Sequence, residues 1–242
     1  MVFEKGVNLD EKLTFWEKNT ETKWGRYVNE IERDVIIKAS DLCINKDLVF
    51  EVGCGGGMWL KMLAERGWRN LAGTDVNQEY LEICRRRLPS CRCVLVQPAD
   101  TRLPCENQSV DLILVMEVVP VSHSRWFYEE ALRILKPGGL VAGMLTNKFS
   151  LRRAMCKLLT RMGKKSWDEY QASYSESYGY WKKIIIENGF EFIYSGGYCW
   201  FPFGRSSNSF FVPVFTSLEK FMGLRKLLIL SPWINFIARK IK

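Results

Sequence analysis

The stretch Glu51-Val52-Gly53-Cys54-Gly55-Gly56-Gly57-Met58 holds the residues with the clearest chemical meaning. Glycines between a strand and a helix let the backbone approach a ligand and aim helix N–H groups at it. Three ligand classes use such turns. A phosphate-binding loop ends in Gly-Lys followed by Ser or Thr; this one ends Gly57-Met58-Trp59, which excludes it. A dinucleotide fingerprint starting at Gly53 needs glycine or alanine at position 58, where Met58 would obstruct helix–strand packing. What remains is an acid, Glu51, ahead of Gly53, Gly55 and Gly57 at alternate positions. Such an acid repels a pyrophosphate and suits an amino-acid ligand with a free ammonium group.

Two further acids extend the pattern. Asp75 closes Gly73-Thr74-Asp75-Val76, where a carboxylate at a strand end accepts both hydroxyls of a ribose. Asp100, in Pro98-Ala99-Asp100-Thr101, follows the next strand and can accept from an adenine amino group. A plain tight turn explains the glycines but not the ordered acids. Together these residues describe a pocket for a nucleoside joined to an amino acid.

Other reactive side chains are less decisive. His123, the only histidine, suits a general base, because a free imidazole titrates near pKa 6.5. A polar residue at the start of the next helix is the competing reading. The eight cysteines (Cys43, Cys54, Cys84, Cys91, Cys93, Cys105, Cys156 and Cys199) show no CxxC pairs. Cys84, Cys91 and Cys93 with Cys105 make a conceivable zinc set, but the paired short spacers of structural zinc sites are missing. The expectation is buried free thiols in a reducing compartment, and no metal.

The elements that must position these residues alternate in type. Strands are expected at 48–52, 70–74, 93–96, 110–116 and 140–145, with helices at 58–66, 79–88 and 124–135 between them. Val110–Met116 is apolar on both faces, as in a covered parallel strand. Lys136-Pro137-Gly138-Gly139 reads as a breaker before the fifth strand. Such alternation means right-handed βαβ units in a doubly wound sheet. Beyond it, 148–189 reads as helical, 190–195 and 232–240 as a closing strand pair, and 198–218 as an aromatic, loop-rich insert.

The motifs Val49–Gly57, Gly73–Val76, Ala99–Pro104, Val110–Leu114 and Arg133–Gly139 resemble the class I S-adenosylmethionine-dependent methyltransferases, especially those modifying small molecules and lipids. The resemblance runs from Val49 to about Met144. It implies an α/β, Rossmann-like doubly wound sheet of seven strands, the last antiparallel, with helices on both faces. It also implies S-adenosyl-L-methionine as cofactor, held by Glu51, Gly53, Cys54, Gly55, Gly57, Asp75, Val76, Asp100, Thr101 and Glu117. Many relatives place a histidine shortly after the fourth strand in a pattern like EVLEHV. Here Glu117-Val118-Val119-Pro120-Val121-Ser122-His123 displaces it. Base-methylating relatives carry an Asn/Asp-Pro-Pro-aromatic motif that Glu117-Val118-Val119-Pro120 lacks. Cys105 sits too early for a pyrimidine-directed nucleophile. An RNA methyltransferase is thus the alternative, and a catalytically inactive cofactor-binding module a third.

Composition completes the picture. The chain has 242 residues, 47% hydrophobic and 26% charged, which fits one globular domain and excludes a disordered one. The expected parts are a helical cap at 1–45, a cofactor core at 46–145, and a basic helix, insert and closing strands at 146–242. No apolar run spans a bilayer and no signal peptide is visible, so a cytoplasmic location is expected. The net charge is +8, and residues 148–165 concentrate it in Lys148, Arg152, Arg153, Lys157, Arg161, Lys164 and Lys165 without an acid. Leu151, Met155, Leu158, Leu159 and Met162 recur at helical spacing among them. Either the apolar face packs on the domain, or the helix meets an anionic membrane surface peripherally. The expected acceptor is a small molecule or lipid-like, covered by Trp24, Tyr27 and the aromatic insert. The oligomeric state is left open.

Overall fold

The first strand, β1 (Leu48–Val52), is buried from Val49 to Val52, as an apolar run covered on both faces must be. Val49 and Phe50 point to opposite faces and so enter different cores. The computed structural model describes residues 13–161 and 176–241. Around β1 lie β2 (Asn70–Asp75), β3 (Arg92–Leu95), β4 (Val110–Val115), β5 (Leu135–Thr146), β6 (Phe190–Tyr198) and β7 (Trp233–Lys240). They form one sheet in the order β3-β2-β1-β4-β5-β7-β6. Strands β1 to β5 pair in parallel, and β7 runs antiparallel to both β5 and β6. The expected seven-stranded sheet with its last strand antiparallel is therefore the observed one.

Helices cover both faces. One face carries α6 (Arg125–Ile134) and α8 (Tyr178–Glu187), whose Phe127, Ile134, Trp181 and Ile185 pack against Phe50, Ile113 and Val141. The other carries α2 (Lys23–Leu42), α3 (Met58–Glu65) and α4 (Gln78–Arg87), with Ile36, Leu60, Leu63 and Leu81 against Val49 and Leu112. Helix α4 shows how locally these boundaries are set. Asn77 caps it by accepting from the Glu79 and Tyr80 amides. Arg85, Arg86 and Arg87 complement the dipole in its last turn. A third core joins Trp24, Tyr27 and Ile31 of α2 to Met144, Tyr198, Val212 and Trp233, fixing the cap over the C-terminal ends of the strands.

Three expectations change. Strand β5 begins at Leu135, because Lys136-Pro137-Gly138-Gly139 lies within a bent strand whose register on β4 shifts between Val110 and Leu112. The insert is not all loop: Phe211–Phe221 forms α9. Its Pro213 sits in the first turn, where no intrahelical hydrogen bond needs its missing N–H. One short helix also appears that the apolar pattern did not mark, α5 (Val119–Ser122), while α1 (Phe15–Asn19) falls within the expected helical cap.

The third change concerns the basic helix, α7 (Leu151–Arg161). Among the described residues, two members of its expected packing face, Leu151 and Leu158, are 49% and 59% exposed. Met162, Lys164 and Lys165 lie outside the described residues. Arg152, expected on a solvated face, is instead buried. Its guanidinium donates to the carbonyls of Cys199 (3.4 Å) and Phe203 (3.0 Å) and lies over the rings of Trp24 and Trp233. Arg152→Leu leaves those buried carbonyls without a partner and is expected to cost about 3 kcal/mol. For a chain of this size that lowers the melting midpoint by roughly 6–12 °C. An unchanged midpoint in thermal denaturation would mean that the buried guanidinium contributes nothing net. Among the described residues no helix is long and apolar enough to cross a membrane.

Candidate functional site

The glycine turn links β1 to α3 through three left-handed residues, Gly53, Gly55 and Gly57, with φ of 68°, 51° and 77°. Their space differs in kind. A Cβ on Gly53 would meet Val118 Cγ2 at 2.5 Å, and one on Gly57 would meet Cys84 Sγ at 2.6 Å. A Cβ on Gly55 would meet nothing within 4 Å, because this glycine faces open space. Two backbone–carboxylate bonds hold the turn beside β2. The Gly55 amide donates to Asp75 Oδ2 at 2.8 Å, and the Asn77 amide donates to Asp75 Oδ1 at 2.8 Å. Cys54 is buried beneath, its amide bonded to the Thr74 carbonyl at 2.9 Å.

Glu51 is the unusual member. It is buried, and its Oε2 has no hydrogen-bond partner among the described residues. Burial pushes its carboxyl well above the ordinary range, with Cys84 and Asp75 adding to the rise. An orphaned buried carboxylate oxygen on a cavity wall costs free energy that a cationic donor would offset.

A cavity of about 150 Å³ opens beside this wall. Glu51, Gly53 and Gly55 form one side and Met116, Glu117 and Val118 the floor. The cap supplies the roof through Thr14, Glu17, Trp24 and Glu32, and Arg205 and Trp233 close the inner end. Arg87 ties roof to turn, pairing with Glu17 while donating to the Gly56 carbonyl at 3.0 Å. Thr14 and Glu17 lock each other in a reciprocal capping box at the start of α1.

The other expected cofactor residues, Asp75, Val76, Asp100 and Thr101, are not among those that line the cavity. Val96 donates to the Asp75 carbonyl at 3.1 Å, which sets the end of β3 beside that of β2. Val76 is exposed there, as are Asp100 and Thr101. Asp100 Oδ2 accepts from the Gln97 amide at 2.7 Å. Glu117 does line the cavity, on a backbone with φ of 55°, and accepts from Arg205 Nη1 at 3.2 Å. Burial raises its carboxyl and Arg205 lowers it.

His123 goes elsewhere. Its Nε2 accepts from the Thr146 amide at 3.1 Å, and its ring stacks on Trp181 with centroids 4.8 Å apart. It does not line the cavity. Burial lowers its pKa to about 4. An imidazole whose basic nitrogen is already occupied by a backbone N–H is a poor proton acceptor, so its place in the structure does not support the expected base. Tyr27 is likewise off the cavity, its hydroxyl donating to Glu219 at 2.6 Å.

Two cavity residues escape a sequence reading. Glu32, on α2, accepts from the Tyr198 hydroxyl at 2.9 Å, and burial together with nearby Glu117 raises its carboxyl well above the usual range. Arg205 comes from the insert and answers both acids. Nothing in spacing connects positions 32, 117 and 205; only the packing of cap on insert does.

Comparison with known proteins agrees with this geometry. A methyltransferase-domain family profile matches residues 49–139. The ubiquinone biosynthesis O-methyltransferase of Neisseria meningitidis is 28% identical over 144 residues, covering 55% of this chain and 58% of that protein. The enzyme of the same name from Chromobacterium violaceum is 28% identical over 155 residues, covering 62% and 63%. The chain thus spans less than two thirds of the length of these relatives. Among solved structures, geranyl diphosphate C-methyltransferase from Streptomyces coelicolor A3(2) superposes with a TM-score of 0.62 at 13% identity, covering 97% of this chain and 86% of that one. That likeness is one of fold. With the glycine turn, the acids at the strand ends and this sheet order, residues 49–139 are similar to a methyltransferase domain.

Proposed function

We propose that the protein transfers a methyl group from S-adenosyl-L-methionine to a small-molecule or lipid-like acceptor. The observation that carries this reading is the partnerless buried Glu51 oxygen beside the open Gly55, which fits the ammonium end of such a cofactor. Gly53, Cys54, Gly55 and Gly57 would bound the methionyl part, Asp75 and Val76 the ribose, and Asp100 and Thr101 the adenine. Glu117 sits between the two ends of the cavity. The bound cofactor supplies an electrophilic methyl group on a sulfonium centre.

The acceptor end is assigned to Trp24, Trp233, Glu32 and Arg205. Their rings exclude water and present flat apolar walls, which suits an aromatic or isoprenoid-like body. Transfer from a sulfonium relies on positioning and desolvation. The acceptor's proton passes to the Glu32–Glu117 pair instead of to His123. The names of the bacterial relatives, ubiquinone biosynthesis O-methyltransferases, support an acceptor of this lipid-like kind.

An apolar rim favours delivery from a membrane surface. Phe210, Phe221 and Ile229 are 77%, 89% and 77% exposed, Lys157, Lys220 and Lys226 are exposed too, and the Leu151 amide at the start of α7 donates to the Leu230 carbonyl at 3.3 Å. Apolar side chains interleaved with cations suit an anionic bilayer interface better than RNA phosphates alone. The test is methyl-labelled cofactor incubated with lipid, polar-metabolite and RNA fractions of a cell extract. Label is expected in the lipid or small-molecule fraction, with a higher rate when anionic vesicles are added. Label confined to RNA would overturn the acceptor assignment, and label in no fraction would leave a cofactor-binding module without turnover.

A further inference from the structure

Behind the glycine turn lies a cluster of thiols that methyl transfer does not use. Cys84 is on α4, Cys91 in the turn that follows, and Cys93 on β3. Two backbone bonds build this arrangement: Leu88 donates to the Cys84 carbonyl at 2.8 Å, and Cys91 donates to the Leu88 carbonyl at 2.9 Å. Pro89 ends the helix, and the chain reverses so that Cys91 and Cys93 return beneath Cys84. The three sulfurs all lie within 4.8 Å of one another, with Cys84 and Cys93 at 3.4 Å. Cys54, from the glycine turn, is buried in the same core as Cys84. Cys105, grouped with these cysteines on sequence, packs against the other face of the sheet.

The geometry points to a site for a soft d10 cation, Zn2+ or a chemical analogue, coordinated by Cys84, Cys91 and Cys93. Sulfur atoms on a tetrahedral zinc ion stand roughly 3.8 Å apart, given Zn–S bonds of about 2.3 Å. The observed spacing brackets that value without any movement of the backbone. A disulfide joins only two sulfurs and requires them near 2.05 Å, so it would leave the third thiol buried beside it. Thiolate donors select soft cations over Mg2+ or Ca2+.

The charges are suitable as well. Each thiol would release its proton to solvent as its sulfur binds the cation, giving a net charge of −1 for three thiolates on a divalent ion. Arg85 donates to the Cys93 carbonyl at 3.0 Å, and Arg87 lies near Cys84, so cations already face the site. Cys84 is fully buried and Cys93 half-buried, so entry is from the Cys93 side. The fourth position falls to Cys54 or to water. This site adjoins Gly57 but does not depend on what the cavity binds.

The full chain, reduced and stripped with chelator under inert gas, is titrated with Cd2+ alone while thiolate-to-metal charge-transfer absorption is followed. The band is expected to saturate at one Cd2+ per chain and to disappear on competition with Zn2+. Cys93→Ser and Cys91→Ser should each weaken binding at least tenfold, while Cys43→Ser and Cys105→Ser leave the titration unchanged. Cys93, half-buried, is the variant expected to keep the native circular dichroism spectrum, so the comparison does not depend on Cys84→Ser folding. A reduced Cys54 role would be read as a smaller loss in Cys54→Ser, meaning water in the fourth position. No band at one equivalent, or a band indifferent to Cys93→Ser, overturns the site. Recovery of a Cys84–Cys93 disulfide from a chain that takes up no Cd2+ after reduction overturns it too.

Discussion

Asp75→Ala is expected to weaken binding of S-adenosylmethionine, or of its demethylated product, by about 100-fold in calorimetry. The carboxylate has two tasks. It accepts from the Gly55 and Asn77 amides at 2.8 Å each, bracing the glycine turn against β2. Each oxygen keeps further lone-pair capacity, and the ribose hydroxyls are assigned to this strand end. Hydrogen bonds to a charged group contribute about 1.5–3 kcal/mol each, so losing two of moderate strength costs roughly 3 kcal/mol of binding. At about 1.4 kcal/mol per factor of ten, that is the stated 100-fold. Asp75→Asn separates the tasks, because an amide oxygen still accepts from Gly55 but carries no charge; a loss nearer tenfold is expected. Full affinity in the alanine variant would show that the ligand does not use the end of β2.

Sequence legibility followed the range of the interaction involved. Val110–Val115 was readable because a covered parallel strand is apolar on both faces; Asp111 is the one interruption, and all six residues are buried. Glu51, Gly53, Gly55, Gly57 and Asp75 were readable because turn and strand end lie within one βαβ unit, where spacing fixes geometry. The acceptor end was not. Glu32, Glu117 and Arg205 meet only because α2 and the insert pack together over the strand ends, and no periodicity records that contact. Helix α9 was hidden by composition. Its aromatic residues and Pro213 read as loop, although a proline in the first turn is compatible with a helix. Arg152 shows the limit of charge patterning. Among basic neighbours it counts as surface, yet two carbonyls and two indole rings accept it inside. His123 shows the limit of residue identity, since a lone histidine near a strand end acquires meaning only from what occupies its ring nitrogens.

Glu51→Gln should separate stability from binding, with opposite signs. In the protein without ligand the carboxyl is buried with one oxygen unsatisfied, and burial raises its pKa from the ordinary 4.5. A raised carboxyl favours the folded state fully below pH 4.5, where it is protonated in both folded and unfolded chains. That contribution is lost progressively as pH climbs toward the folded-state value, because the unfolded chain then gives up its proton more readily. Glutamine cannot ionise, so the ligand-free variant is expected to melt higher than wild type at neutral pH, with a flatter dependence on pH. Binding runs the other way. The ammonium group of the cofactor pairs best with the ionised form, so wild-type affinity should rise with pH through the raised pKa, and binding should release a proton below it. The glutamine variant loses the charge and should bind about 10- to 100-fold more weakly, the value of one charge-assisted contact. It should show neither the pH dependence nor the proton release. Calorimetry in two buffers of different ionisation enthalpy measures both quantities, and thermal melts from pH 5 to 9 measure the stability term. A variant that melts lower and binds as tightly as wild type would mean that Glu51 is a structural acid whose partner lies in the protein. A variant that melts higher and binds weakly would place the charge of Glu51 in the cofactor site and nowhere else.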